Sequence, residues 1–438
     1  MNPAISLSAT EQARLIREGE ISSEELICAH LEQIERVNPR LNAVVEVLDE
    51  EALRAAKAVD TKRARGGRLR LFEGVPFSVK DAIEVAGTIC SAGTLGRRNA
   101  ARSQRDATVV ARLRAAGAIP IARTNLPDLL FAFESDNLIF GRTNNPYDLS
   151  RTAGGSSGGE AALIAACGSP FGLGSDAAGS VRVPAHFCGI ASLKPTSGRL
   201  PRTGHVPPAG GWIEMLWQIG PMARRVEDLD GMMRVLRGPD GEDRTVVPMP
   251  YRDPGEIDLD RLRVLEWEDI DDPHISPRRA YDIEMKILGA DGGDGIREYL
   301  RAIGSAETHQ LLEGWLSKLE RYRTDARGLA RYWEELDDFR NRMYFLLQTY
   351  DAIVSPVCEH AALPHGASLK DDIFPGFGYT MVHNLTGWPA AVVRAATLDS
   401  GLPSGVQIAA APWREDIVIA LAKSIEEDRG GWCAPNNL

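Results

Sequence analysis

Much that would point to a metal, a disulfide framework, a nucleic acid or a membrane is missing from this chain. Its six cysteines (28, 90, 167, 188, 358 and 433) show no CxxC or CxxH spacing. That excludes the usual zinc frameworks, and in a chain of 438 residues it reads as reduced, mostly buried thiols. Basic runs are equally scarce, the longest being the short segment at 62–70. With 50 basic against 61 acidic residues, net charge −11 and pI near 5.4, nucleic acid is disfavoured as a partner. The first twenty residues hold no uninterrupted apolar stretch, so neither a signal peptide nor a membrane span is expected there, and the cytoplasm is the default location. A 44% hydrophobic and 25% charged composition suits a globular chain with a large core, for which length alone suggests two or three domains.

Glycine and serine, by contrast, are concentrated in one place. The stretch 154–189 reads GGSSGGEAALIAACGSPFGLGSDAAGSVRVPAHFCG, with eight glycines between Gly154 and Ser180. A packed element does not tolerate so many, so the backbone must make turns or close approaches there. A flexible linker would be polar throughout, whereas AALIAA at 161–166 is an apolar run of good helix formers that must be buried. A Walker-type phosphate loop would close on Gly-Lys-Ser or Gly-Lys-Thr, and Gly158-Gly159-Glu160 puts a carboxylate where that lysine belongs. What remains is a candidate active site built on serines.

A serine hydroxyl needs a base within hydrogen-bond reach. Of eight histidines, His186 and His205 are the two near the serine clusters, and no Gly-x-Ser-x-Gly elbow accompanies them. A Ser-His-Asp arrangement therefore stays open with no motif in its favour. A buried, neutral lysine is the other candidate: Lys80 ends the strand-like run of GVPFSVKDAI, and lowering its pKa from about 10.4 would take a water-poor, serine-lined pocket.

The segments GVPFSVKD, GGSSGGE and GSDAAGSVRVPA, in this order and continued by CGIASLKPTSGRLPRTGH, resemble the amidase signature family of serine hydrolases. Lys80 and Ser156 are 76 residues apart and Ser156 and Ser180 are 24 apart, as in that family. The resemblance implies Ser180 as nucleophile, Ser156 as bridging serine on a cis Gly155–Ser156 peptide bond, and Lys80 as base. It also implies an oxyanion hole of backbone N–H groups from Ala177, Ala178, Gly179 and Ser180, with Ala178 standing where the family usually has glycine. Asp176 and Arg182 resemble an ion pair that holds the nucleophile loop. Ser157 is read as satisfying loop backbone, and His186 and Cys188 as core. No cofactor and no metal is implied.

The fold expected is α/β. Helical periodicity covers residues 10–65, with Gly19 ending one helix, Ser22 or Ser23 starting the next and Asn38-Pro39 ending it. Strand-like runs follow at 74–80, 117–123, 170–174, 262–267, 351–357, 390–396 and 405–411, separated by helical segments. The family resemblance implies one large domain, a mixed twisted sheet between helices. Within 1–438 we expect N-terminal helices at 1–70, the signature core at 72–235, a variable, specificity-determining region at 239–350, and the rest of the core at 351–438. Pocket candidates are Leu130, Phe131 and Phe133 after TNLPD, Trp212 and Trp217 after GHVPPAGG, and Phe377 and Tyr379, with Phe374, in a glycine-broken loop that would act as a lid. The function expected is hydrolysis of small amides, anilides or carbamates, with ester cleavage by the same route. The alternative is a glutaminase resembling the A-type component of glutamyl-tRNA amidotransferase, working in a complex. The partner is a small-molecule amide or carbamate, with no membrane and no nucleic acid; oligomeric state is unreadable.

Overall fold

Two capping boxes organise the start of the chain. Ser8 and Ser22 each accept from the backbone N–H three residues on, and Glu11 and Glu25 return the bond, starting the helices Ala9–Glu18 and Ser23–Leu41. Gly19 ends the first in the left-handed region, at φ 81°. The second runs through Pro39, contrary to expectation, and stops at Leu41 with Asn42 left-handed behind it. The rung that proline removes lies in the last turn, and there Asn38 Oδ1 accepts from the N–H groups of Ala43 and Val44, each at 2.8 Å. The computed structural model describes every residue except 1, 209, 212, 437 and 438.

Among the described residues, ten strands form one mixed sheet. They are β1 (Val44–Val47), β2 (Pro76–Lys80), β3 (Ile119–Thr124), β4 (Phe171–Asp176), β5 (Ala191–Lys194), β6 (Gln218–Ala223), β7 (Val264–Glu266), β8 (Ala352–Pro356), β9 (Ala390–Thr397) and β10 (Pro403–Ala410). Their order is β1-β3-β2-β4-β6-β5-β9-β10-β8-β7. β2 runs parallel to β3 and β4, β7 runs parallel to β8, and the other pairings are antiparallel. The seven expected strands are all present; β1, β5 and β6 were not expected, and β1 interrupts the segment read as helical. Helices flank the sheet in a single α/β domain.

Two buried apolar clusters fill the interior. One joins the N-terminal helices to the sheet through Ile16, Leu26, Phe72, Phe77, Phe171 and Leu229. The other gathers Phe133, Phe187, Trp315, Phe339, Phe374 and Phe377. Because β2 and β4 are parallel neighbours, paired as Ser78 with Gly172 and Val79 with Leu173, their carboxyl ends open side by side. Ligand sites of α/β sheets commonly form there. Here the ends carry Lys80 and Asp176. No helix among the described residues is long and apolar enough to cross a membrane.

Candidate active site

Lys80, the last residue of β2, is fully buried. Its ammonium nitrogen lies 2.7 Å from Ser156 Oγ, 3.0 Å from Ser157 Oγ and 3.2 Å from Ser175 Oγ. Burial pushes the amine down to about 7, while the nearby carboxylates of Asp176 and Glu160 pull the other way. Glu160 sits in the first turn of the helix Gly158–Ala165 and accepts from Ser78 Oγ and, at 2.7 Å, from Thr124 Oγ1. Burial raises its carboxyl to about 7. Neither group is therefore firmly charged at neutral pH.

The serine loop is threaded tightly past its neighbours. The Gly155–Ser156 peptide bond is cis, as the resemblance implied. A Cβ on Gly155 would stand 2.5 Å from Ala132 O and 2.6 Å from Glu134 N, so no larger residue fits. Ser157 N–H donates to Ser180 O at 3.1 Å, which ties the two serine segments together. Ser157 Oγ contacts the backbone of Ser175 in β4, outside its own loop, and also accepts from Lys80.

Asp176 organises the turn after β4. Its carboxylate accepts from Gly179 N–H at 2.9 Å, Val181 N–H at 3.1 Å, Asn384 Nδ2 at 2.9 Å and both arms of Arg182 at 2.8 and 3.1 Å. Burial alone would raise this carboxyl; the Arg182 guanidinium overcomes that and holds it well below the usual carboxylate range. The expected ion pair is thus present, and Arg182 is anchored further on Thr380 O, Gln407 Oε1 and Asn384 Oδ1. One expectation is corrected here: Gly179 N–H is committed to Asp176, so Gly179 serves through its φ of 123°, which L side chains rarely adopt. The N–H groups of Ala177, Ala178 and Ser180 have no partner among the described residues. Nor does Ser180 Oγ, and the serine borders an open cavity.

That cavity opens to solvent through its mouth, and the space within it and at the mouth together comes to about 850 Å³. Ser156, Ser175, Ala177, Ala178 and Ser180 form its floor, and its walls are overwhelmingly apolar. Of the expected pocket residues, Leu130, Phe131, Phe133 and Trp217 line it, while Trp212 lies outside the described residues. Phe377 and Tyr379 do not line it. Phe377 is fully buried and stacks behind Phe133, with centroids 4.0 Å apart, and Tyr379 packs edge-on against Trp267. The glycines at 376 and 378 had suggested a lid; instead a short 3-10 turn, Phe374–Phe377, leads straight into the helix Gly378–Leu385.

The sequence reading missed Trp315, Leu288, Ile213, Pro207, Pro208 and His205 as wall residues. Trp315 repeats at helical spacing with Leu311, Leu312 and Leu319, a pattern that signals core before pocket. Ser175 had a signal that went unused, its place in the same SDAAGS run as Ser180; His205, beside the prolines of GHVPP, was weighed only as a histidine base. His186, read as core, is buried and bonded to Gly405 N and His360 O. No group of histidine, cysteine and carboxylate side chains that could hold a metal ion occurs among the described residues.

Comparison with known proteins places this geometry in a family. The Amidase profile matches residues 25–296 and 292–419. The chain is 32% identical over 491 residues to Fatty-acid amide hydrolase 2 of Homo sapiens, spanning 100% of this chain and 91% of the relative. It is also 32% identical over 473 residues to the A-type component of Glutamyl-tRNA(Gln) amidotransferase from Symbiobacterium thermophilum, spanning 95% of each. Among solved structures, 6-aminohexanoate cyclic dimer hydrolase superposes with a TM-score of 0.85 at 26% identity, covering 99% of both chains. With the profile running through the β2 and β4 ends and on to the C-terminal strands, the chain belongs to the amidase signature family and is an amide-hydrolysing enzyme.

Proposed function

We propose that this enzyme hydrolyses the C–N bond of small amides, anilides or carbamates through a covalent acyl-enzyme on Ser180. Ser180 Oγ attacks the carbonyl carbon; its proton passes to Ser156 Oγ as the Ser156 proton passes to Lys80 Nζ. The oxyanion is met by the N–H groups of Ala177, Ala178 and Ser180, which are otherwise unspent. Removal of one such donor typically lowers the rate about a hundredfold or more. The relay then runs in reverse and protonates the leaving nitrogen, the C–N bond breaks, and water releases the acyl group by the same path. A carbamate presents the same carbonyl with an alkoxy arm, and an ester demands less of the leaving-group proton, so both fit the scheme.

One observation carries this reading: a fully buried amine, held to about 7, lies 2.7 Å from a serine that shares a cavity floor with Ser180. The contact still to be closed is Ser156 Oγ to Ser180 Oγ, and catalytic hydrogen bonds often tighten only when substrate binds. Walls of Phe131, Phe133, Trp217 and Trp315 favour aryl or long apolar acyl groups. The likeness to an amidotransferase component supports a second reading, release of ammonia from glutamine inside a complex, but the apolar walls offer a charged amino acid little. The purified chain, incubated separately with p-nitroacetanilide, an aryl carbamate and glutamine, decides between them. Turnover of the first or second alone is expected, and glutaminase activity that appears only with added partner proteins would reverse the conclusion.

A further inference from the structure

Lys80 has three hydroxyl neighbours, and the direction of each hydrogen bond can be read from what lies beyond it. A neutral amine offers two N–H donors and one lone pair. To act as a base towards Ser156, it must spend both donors elsewhere.

Beyond Ser175 stands His205. Its Nδ1 lies 3.0 Å from Pro207 O and its Nε2 3.0 Å from Ser175 Oγ. A carbonyl only accepts, so Nδ1 carries the proton and Nε2, in the neutral ring, presents a lone pair. Burial keeps that ring neutral, pushing it down to about 3, with Lys80 and Arg202 as the cations that face it. The Ser175 hydroxyl must therefore donate to His205 and accept from Lys80 at 3.2 Å. Ser157 is constrained the same way: its hydroxyl donates to Ser175 O at 3.3 Å, leaving it to accept from Lys80 at 3.0 Å. Both N–H groups of the amine are then occupied, and its lone pair is left for the shortest contact, Ser156 at 2.7 Å.

The histidine is itself built in. His205 N–H donates to Arg202 O, Val206 N–H donates to Ala82 O two residues beyond Lys80, and the ring packs on Trp217 with centroids 4.4 Å apart. We propose that His205 is a positioning residue for amide hydrolysis, acting through Ser175 to turn the lone pair of Lys80 towards Ser156. This rests on the roles given above to Lys80, Ser156 and Ser180. With His205 removed, the Ser175 proton is free to point at the amine, and the lone pair can then be drawn away from Ser156.

Steady-state kinetics on p-nitroacetanilide, together with the rate of labelling by a fluorophosphonate, test it. His205→Leu is expected to lower kcat and the labelling rate together by about 10- to 100-fold, as small misplacements of reacting groups do, with KM within about threefold. His205→Gln, whose Oε1 can accept from Ser175, is expected to recover most of that loss. Ser175→Ala should match His205→Leu, and the double variant should fall no further. Unchanged kcat in His205→Leu, a loss confined to KM, a glutamine variant as weak as the leucine one, or additive losses in the double variant would each overturn the proposal. If His205→Leu does not fold, undiminished kcat in Ser175→Ala overturns it alone. Lys80→Ala and Ser156→Ala, assayed alongside, separate the two ideas: full activity in those variants removes the relay itself, whereas their inactivity beside a fully active His205→Leu removes only the role of His205.

Discussion

Lys80 Nζ stands 2.7 Å from Ser156 Oγ, and both side chains are shut away from solvent. The pair sits where β2 ends, with Asp176 and Glu160 close by. Moving an ammonium from water to such a place costs several kcal/mol even after relaxation. The two carboxylates recover part of that, but burial wins, and the amine comes to about 7. A group poised there can take and return a proton at neutral pH, which a solvent-exposed lysine cannot.

The pH dependence follows directly. The proposed relay needs a neutral Lys80, so kcat/KM on p-nitroacetanilide should fall about tenfold for each pH unit below about 7 and level off above it. Lys80→Ala should lose about 10²- to 10⁴-fold and lose that acid limb with it. A profile flat from about pH 5 to pH 8 in the unaltered enzyme would remove Lys80 as the base.

Labelling locates the nucleophile. Ser180 Oγ borders the cavity with no hydrogen-bond partner among the described residues, beside the open N–H groups of Ala177 and Ala178. Ser180→Ala should abolish covalent capture by a fluorophosphonate while leaving the thermal transition within about 2 °C, because a hydroxyl facing a cavity holds nothing else in place. Mass spectrometry of the treated variant checks it, and an adduct on any other serine would move the nucleophile there.

Much of this site was legible because chemistry forces unusual residues together. Gly155 must be glycine where Ala132 O and Glu134 N press on it, and a lysine ending an apolar strand stands out. Elements with ordinary or contradictory composition were not legible. β6 is a central strand, yet its QIGPMA carries Gly220 and Pro221, residues that normally argue against a strand. β1 and β5 have four residues each, too few for an alternation to show. Gly378 read as a loop breaker but starts a helix, where a Cβ would collide with the Pro277 backbone carbonyl. His205 was singled out only as a histidine near the serine clusters, because which of its ring nitrogens carries the proton is set by Pro207 O, and composition does not encode that.

The loop that carries Ser180 should be the weak point in stability. Asp176 and Arg182 are both fully buried, and the carboxylate takes hydrogen bonds from two backbone N–H groups of the turn as well as from the guanidinium. Asp176→Asn leaves the Arg182 charge unpaired, and removing one partner of a buried ion pair costs about 3–5 kcal/mol. In the parent, the Asp176 carboxyl titrates lower when folded than when unfolded. Its stabilisation is therefore complete above the ordinary aspartate pKa of about 3.9 and is lost as pH falls below it. Urea titrations at pH 7 should show a reduced midpoint in Asp176→Asn, and equal midpoints would mean the pair does not hold the loop.

Substrate preference should respond to Trp315. Its ring lines the cavity and meets Phe131 and Phe133, each at 5.8 Å between centroids, and Phe374 at 4.8 Å. Truncation removes an aromatic wall from one side of the pocket while leaving the Lys80 and serine contacts untouched. Trp315→Ala should therefore raise KM for p-nitroacetanilide about tenfold, the worth of one good aromatic contact, and change kcat by less than about threefold. On acetamide, which has no ring to seat, the same variant should differ little from the parent. Some stability will be lost as well, about 3–5 kcal/mol for a buried tryptophan cut to alanine, so the comparison belongs at about 25 °C with folding checked by circular dichroism. Equal losses on both substrates would mean that Trp315 supports the fold and does not seat the substrate's ring.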